Sequence, residues 1–277
     1  MDFFVLILQA VLYGVVQGIT EWLPVSSTGH MLLLDNFAKP AVSDTFWDLF
    51  LVVVQLSSIF AVVLLFWHRL WPFSKTKDAA AKKATWSLWA RVLVASVPAA
   101  IIGILFEDAI EGVLRGNLVI AIALIVLGVG FLFLSRIPTR SENAEKLPFV
   151  KALGIGLFQA LALIPGTSRS GSTIFGASLL GVDRVTAAEF SFFMAIPVMA
   201  GASALKLLGF IKDGIALLPA EIVFLAVGCI ASFAVSLFVV RFLMDFVKKH
   251  SFAPFGIYRI VLGVLLLVLI AAGVICA

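Results

Sequence analysis

Hydrophobic residues in this chain recur in long runs separated by short polar stretches. Six runs, roughly 46–66, 86–106, 118–134, 186–208, 219–241 and 255–276, are long enough to cross a bilayer as helices. Two further regions, about 3–40 and 149–183, depart from that pattern. Each has an apolar stretch, a proline, a cluster of hydroxyl residues with glycine, and then another short apolar stretch. That order predicts a pair of half-helices that enters the membrane and turns back, which lipid tolerates only where the turn is buried in protein or lines a cavity. The predicted fold is an all-α membrane protein with six spanning helices and two re-entrant helical hairpins.

The two broken regions are related to each other. Gln17 to His30 reads QGITEWLPVSSTGH, and Gln159 to Ser172 reads QALALIPGTSRSGS. Aligning Pro24 with Pro165 gives an offset of 141, which also pairs Ser27 with Ser168, Thr45 with Thr186 and Asp48 with Glu189. Three spanning helices separate the copies, and an odd number inverts the second relative to the first. The expectation is a single membrane domain over 1–277, with repeat one at about 1–134 and repeat two at about 149–277 in inverted topology. Polar sites in such folds form near the midplane, where broken helices meet.

Composition agrees with this pattern. Hydrophobic residues make up 62% and charged residues 13% of the chain, against about a quarter charged in soluble domains. A water-soluble globule is excluded. The net charge of +4 does not mark a nucleic-acid binder, because the basic residues lie in loops between apolar runs and read as topology signals. The loop from Trp67 to Arg91 carries Arg69, Lys75, Lys77, Lys82, Lys83 and Arg91 against Asp78, and is assigned to the cytoplasm. Glu107, Asp108 and Glu111 outweigh Arg115 in the next loop, which is assigned outside. Arg136, Arg140, Lys146 and Lys151, and later Arg241, Lys248 and Lys249, return their loops to the cytoplasm, whereas Lys206 to Glu221 is nearly balanced. These assignments hold together only if 149–183 begins and ends on the cytoplasmic side and 3–40 begins and ends outside, with both chain termini outside. Met1 to Ala10 has neither a basic n-region nor a following small-residue cleavage site, so a removable signal peptide is not expected. Cys229 and Cys276 sit in apolar stretches and read as packing residues.

Candidate chemistry gathers in the two breaks. Gln17 and Glu21 are four apart and share a helix face. A carboxylate at membrane depth costs about 2.5 kcal/mol or more unless paired or wet, although Glu21 alone also fits an interfacial acid at a helix end. Ser26, Ser27 and Thr28 follow, and Ser27 and His30 are three apart, close enough for a nucleophile and a base or acid. The second break, Pro165 to Thr173, sets Arg169 among Thr167, Ser168, Ser170 and Ser172, after Gly166. A guanidinium donates in bidentate fashion to phosphate oxygens, and hydroxyls with exposed amides at a helix start complete an anion cradle. The plainer alternative is an arginine reaching for the interface. Asp48 and Glu189, near the starts of spanning helices, read as acids favoured by the positive helix end. Together the clusters offer an anion site, an acid, a hydroxyl and an imidazole, an inventory that suits phosphoryl transfer better than ion conduction.

At these segments the chain resembles the undecaprenyl-diphosphate phosphatase family, integral membrane enzymes of the bacitracin-resistance type. The resemblance extends to AAEFSFFMAIP at Ala187 to Pro197 and FAPFGIYR at Phe252 to Arg259, and covers nearly the whole chain. It implies hydrolysis of undecaprenyl diphosphate to the monophosphate, which recycles the carrier lipid for peptidoglycan and other envelope polymers. It also implies a bacterial inner-membrane location, dependence on a divalent cation such as Mg2+ or Ca2+, and bacitracin resistance on overproduction. Dimers occur in the family, so a homodimer is an expectation. By position, the family's [E/Q]xxxE motif falls on Gln17 and Glu21, its functional Ser and His on Ser27 and His30, and its PGxSRSxxT motif on Pro165 to Thr173, with Arg169 as principal charge. Gln17 stands where some members have Glu, which weakens a metal site of two carboxylates and leaves Glu21 as the main ligand.

The resemblance thus implies a clamp of Arg169, Ser168, Ser170 and Thr173 on the diphosphate and a cation bridging its oxygens to Glu21. Ser27 attacks phosphorus with Glu21 or His30 assisting, or an activated water attacks with His30 as acid or base; the residues alone leave both open. The rival class is a polyprenyl-phosphate flippase or secondary transporter, because inverted repeats with broken helices are typical of transporters. Its signature would be substrate movement across vesicles without phosphate release.

Overall fold

Apolar runs bounded by caps become helices throughout the computed structural model, which describes residues 3–114, 116–214 and 216–276. The N-terminal half comprises α1 (Phe3–Thr20), α2 (Ser27–Ala38), α3 (Asp44–Leu65), the short α4 (Trp67–Leu70), α5 (Ala79–Leu114) and α6 (Asn117–Phe133). The C-terminal half comprises α7 (Phe149–Gln159), α8 (Arg169–Leu179), α9 (Arg184–Lys212), α10 (Pro219–Lys249) and α11 (Ala253–Ala271). The starts have local causes: Ser43 accepts from the Phe46 amide ahead of α3, Asp183 accepts from the Val185 and Thr186 amides ahead of α9, and Pro219 opens α10.

Among the described residues, seven helices are long and apolar enough to cross a membrane, and the chain is a multi-pass membrane protein. That is one more than the six runs predicted. The additional helix is α1, whose 18 residues span about 27 Å, close to a hydrocarbon thickness of about 30 Å. The first break begins only at Glu21, leaving α1 room for its full length. In the C-terminal half Pro148 precedes the start and a 3-10 turn over Ala160–Leu163 ends the run, so α7 has 11 residues. Glu107, Asp108 and Glu111, predicted in a loop, fall in the last turns of α5, but their side chains, like Arg115, Met1 and Ala277, lie outside the described residues.

Close backbone contacts give the helix directions. A Cβ on Gly14 or Gly18 of α1 would come within 2.4 or 2.7 Å of the Gly228 or Ser232 carbonyl of α10, so the two helices run parallel in near-backbone contact. α3 also runs parallel to α10, through Ser43 with Glu221, Phe46 with Phe224 and Ser232 with the Val54 carbonyl. α2 is antiparallel to α1, with Tyr13 bonded to Asp35 and Gln9 to the Ala38 carbonyl. The first broken region therefore leaves and returns at one end of the bundle.

The second broken region does the same at the other end. Gly154 faces Leu180 and Gly176 faces Phe158, so α7 and α8 are antiparallel. α9 is antiparallel to α3, as Ser203 with Val52 and Phe66 with Phe193 show, and α7 lies against α5 as α1 lies against α10. α6 and α11 pair with Gly128 against Gly256 and Gly263 against Ala121, again antiparallel. The segments assigned to the cytoplasm meet at one end: Arg140 bonds to Gly181, Arg69 to Glu145 and Glu189, and Ser87 to Glu145. Large apolar residues left exposed, such as Ile104, Val126, Ile230 and Phe238, form the lipid-facing surface.

Candidate active site

Each broken region turns at a serine held in an unusual backbone conformation. Ser26 (φ 75°, ψ 99°) precedes α2 and Ser168 (φ 72°, ψ 131°) precedes α8. They are the two non-glycine residues with positive φ among those described. Such conformations cost about 1–3 kcal/mol each and persist only where surrounding structure enforces them. Both serines cap their helices, Ser26 accepting from the Gly29 amide at 3.3 Å and Ser168 from the Gly171 amide at 3.1 Å. The capping serines stand 142 apart, as do Gln17 and Gln159, one more than the offset of 141 between the prolines. Arg169, not Ser168, is thus the counterpart of Ser27.

The two turns touch. Arg169 Nη2 donates to Glu21 Oε1 at 2.9 Å, an ion pair whose side chains are 11% and 6% exposed. Glu21 Oε2 accepts from Gln17 Nε2 at 2.9 Å and from Ser27 Oγ at 3.2 Å. Arg169 Nη1 donates to the Ser191 carbonyl, and the guanidinium lies 5.5 Å from the ring centroid of buried Trp22. Ser170 donates to the Glu21 and Leu23 carbonyls, and Thr173 shares a 2.6 Å hydrogen bond with Ser191. A buried pair survives only when its remaining hydrogen bonds are made, and here most of them are.

Several predicted residues stand elsewhere. His30 does not reach Ser27 or Glu21: its Nδ1 donates to the Ser26 carbonyl at 2.7 Å, leaving Nε2 of the neutral ring to accept from Tyr258 at 2.6 Å. It lines a separate, mainly apolar pocket with Phe242, Phe246 and Tyr258. Thr28 points outward and is exposed. Gly166 serves the backbone, since at φ 92° a Cβ there would sit 2.7 Å from the Ile120 main chain. Glu189 belongs to the ion-pair group with Arg69 and Glu145, and Asp48 is exposed at a cavity wall.

That cavity, about 1030 Å³, lies between α3, α5, α9 and the second turn. Arg169 and Gln159 stand on its wall among mostly apolar residues, including Leu163, Val198 and Leu205. No group of three His, Cys, Asp or Glu that could hold a metal occurs among the described residues. The oxygen donors at the turn, the Glu21 carboxylate with the Gln17 amide and Ser27 hydroxyl, suit a hard cation held by one carboxylate together with substrate phosphates.

The chain matches the family model described as bacitracin resistance protein BacA over residues 10–265. It belongs to that family. Undecaprenyl-diphosphatase 1 of Clostridioides difficile (strain 630) is 53% identical over 263 residues, 94% of this chain and 95% of its own. Undecaprenyl-diphosphatase of Enterococcus faecalis is 52% identical over 275 residues, 97% of this chain and 98% of its own. The Acetivibrio thermocellus undecaprenyl-diphosphatase is 49% identical over 264 residues.

In this BacA-family chain, sequence reasoning missed three side chains that build the site. Arg259 of α11 is fully buried and bridges the turns, donating to the Pro24 carbonyl at 3.2 Å and to the Gly166 and Thr167 carbonyls at 3.0 Å. Its signal was present, because an arginine inside a 19-residue apolar helix is costly without partners. Trp22 and Ser191, which hold Arg169 in place, carried no comparable signal.

Proposed function

We propose that this protein hydrolyses undecaprenyl diphosphate to undecaprenyl phosphate and inorganic phosphate, recycling the carrier lipid for cell-wall polymers. One observation carries the reading: the Arg169 guanidinium and Glu21 carboxylate, brought from separate helix turns, meet at 2.9 Å with Ser27 on the same carboxylate. Relatives about half identical over nearly their whole length bear the name undecaprenyl-diphosphatase, which agrees with it.

Arg169, with the hydroxyls of Ser168, Ser170 and Thr173 around it, binds the diphosphate oxygens and offsets charge developing on them, the largest usual source of catalysis in such transfers. Substrate competes with Glu21 for the guanidinium and so frees the carboxylate. The contact between Ser27 Oγ and Glu21 Oε2 favours Ser27 as nucleophile with Glu21 taking its proton, over His30, which is turned toward Tyr258. The serine oxygen bonds to the terminal phosphorus, the bond to the bridging oxygen breaks, and water later releases phosphate from the serine. A divalent cation, Mg2+ or Ca2+, held by Glu21 with Gln17 beside it, would neutralise diphosphate charge when bound.

In this reading the hairpins are re-entrant from opposite faces of a bacterial inner membrane, in the sense of an inverted repeat. The basic end is cytoplasmic, the termini are outside, and the protein assembles as a homodimer. The test is phosphate release by purified protein from undecaprenyl diphosphate, with and without Mg2+ or Ca2+. Arg169→Ala is expected to lower the rate by about 10²–10³-fold; near-normal release by that variant would refute the clamp.

A further inference from the structure

Gln159 and Gln17 occupy matching places, each nine residues before its capping serine, but their surroundings differ. Gln17 donates to Glu21. Four residues after Gln159 the second copy has Leu163 in place of a carboxylate. Gln159 is 1% exposed, and neither its Nε2 nor its Oε1 finds a hydrogen-bond partner among the described residues. Arg169 Nε is likewise buried and unpartnered. All three atoms belong to residues on the wall of the 1030 Å³ cavity.

A buried amide left unpaired is costly, and a leucine of similar size would avoid the cost. The backbone gives the side chain little freedom to escape, because α7 is clamped to α5 where Gly156 meets the Ala95 carbonyl. The residues that carry these unpartnered donors, one of them a guanidinium, stand on the wall of a slot whose other walls are mainly apolar. An anionic head on a hydrocarbon chain satisfies both parts. Residues at the start of α3 and the end of α9, Asp44, Lys206 and Asp213, also line the cavity and place its mouth at the end of the bundle opposite the basic loops.

We infer that this cavity is the seat of the lipid diphosphate, and that the Gln159 side-chain amide donates to a phosphate oxygen beside Arg169 while the apolar walls hold the first isoprenoid units. The inference rests on the proposed phosphatase reading and adds to it a binding residue. It makes Gln159 a ligand contact, with no proton to transfer.

The test compares wild type with Gln159→Leu and Gln159→Asn, using farnesyl diphosphate for turnover and its non-hydrolysable methylene diphosphonate analogue for equilibrium binding. A hydrogen bond to a charged group is worth about a tenfold affinity change or more. Gln159→Leu is therefore expected to raise KM and weaken analogue binding by about tenfold, with Tm unchanged or higher and kcat little altered. Gln159→Asn, which keeps the amide on a shorter stem, should fall between, and serves alone if the leucine variant does not fold. Analogue binding within twofold of wild type in the folded variants would overturn the inference. Failure of the wild type to release phosphate would instead refute the phosphatase reading, and the binding comparison would still judge Gln159.

Discussion

The two helix turns share a backbone and divide the chemistry. Both pass through a strained serine that caps the next helix by accepting from the amide three residues on. The first turn carries the Glu21 carboxylate and the Ser27 hydroxyl, where the second carries Arg169 and Ser170. The two turns carry opposite charges, and Glu21 and Arg169 meet where they pack. The ion pair needs a residue from each turn.

The largest break in this comparison comes from removing one charge. Glu21→Gln and Arg169→Ala should each lower phosphate release by about 10²–10³-fold, and Arg169→Ala should also destabilise by about 3–5 kcal/mol, since it leaves Glu21 buried without its partner. Thermal unfolding in detergent beside the rate measurement checks both parts. Next in size is Arg259→Met, which deprives the Pro24, Gly166 and Thr167 carbonyls of their donor. Because this residue ties the turns together, stability and activity should fall together, stability by at least about 2 kcal/mol.

Ser26→Ala and Ser168→Ala sharpen the likeness of the two turns. Each removes a cap worth about 1 kcal/mol, and similar drops in Tm are expected, whereas a large difference would show that the turns are not equivalent. Thr28→Ala should have the smallest effect. Its side chain is exposed away from the ion pair, so activity within about twofold of wild type is expected, in line with ordinary surface substitutions.

Membrane helices and the two polar turns that meet in the fold were legible because their signals are local. Long apolar runs demand helices, and hydroxyls with charge inside apolar frames demand partners. Contacts across the fold were less legible. His30 and Ser27 are three apart in sequence, but the turn ahead of α2 directs the imidazole to Tyr258, 228 residues away. Arg259 stood alone in its helix without a neighbouring cluster to draw attention. The one-residue register difference between turns arises because Gly166 and Thr167 separate the proline from the capping serine in the second turn, whereas Val25 alone does so in the first. Gln159 looked like a mark of the repeat, and only the missing carboxylate at Leu163 distinguished it.

A double-mutant cycle on phosphate release, combining Glu21→Gln with Arg169→Ala, addresses the meeting of the two turns most directly. Residues in contact do not act independently, so the double variant should be little slower than either single one. Losses that simply multiply would mean that the carboxylate and the guanidinium work apart.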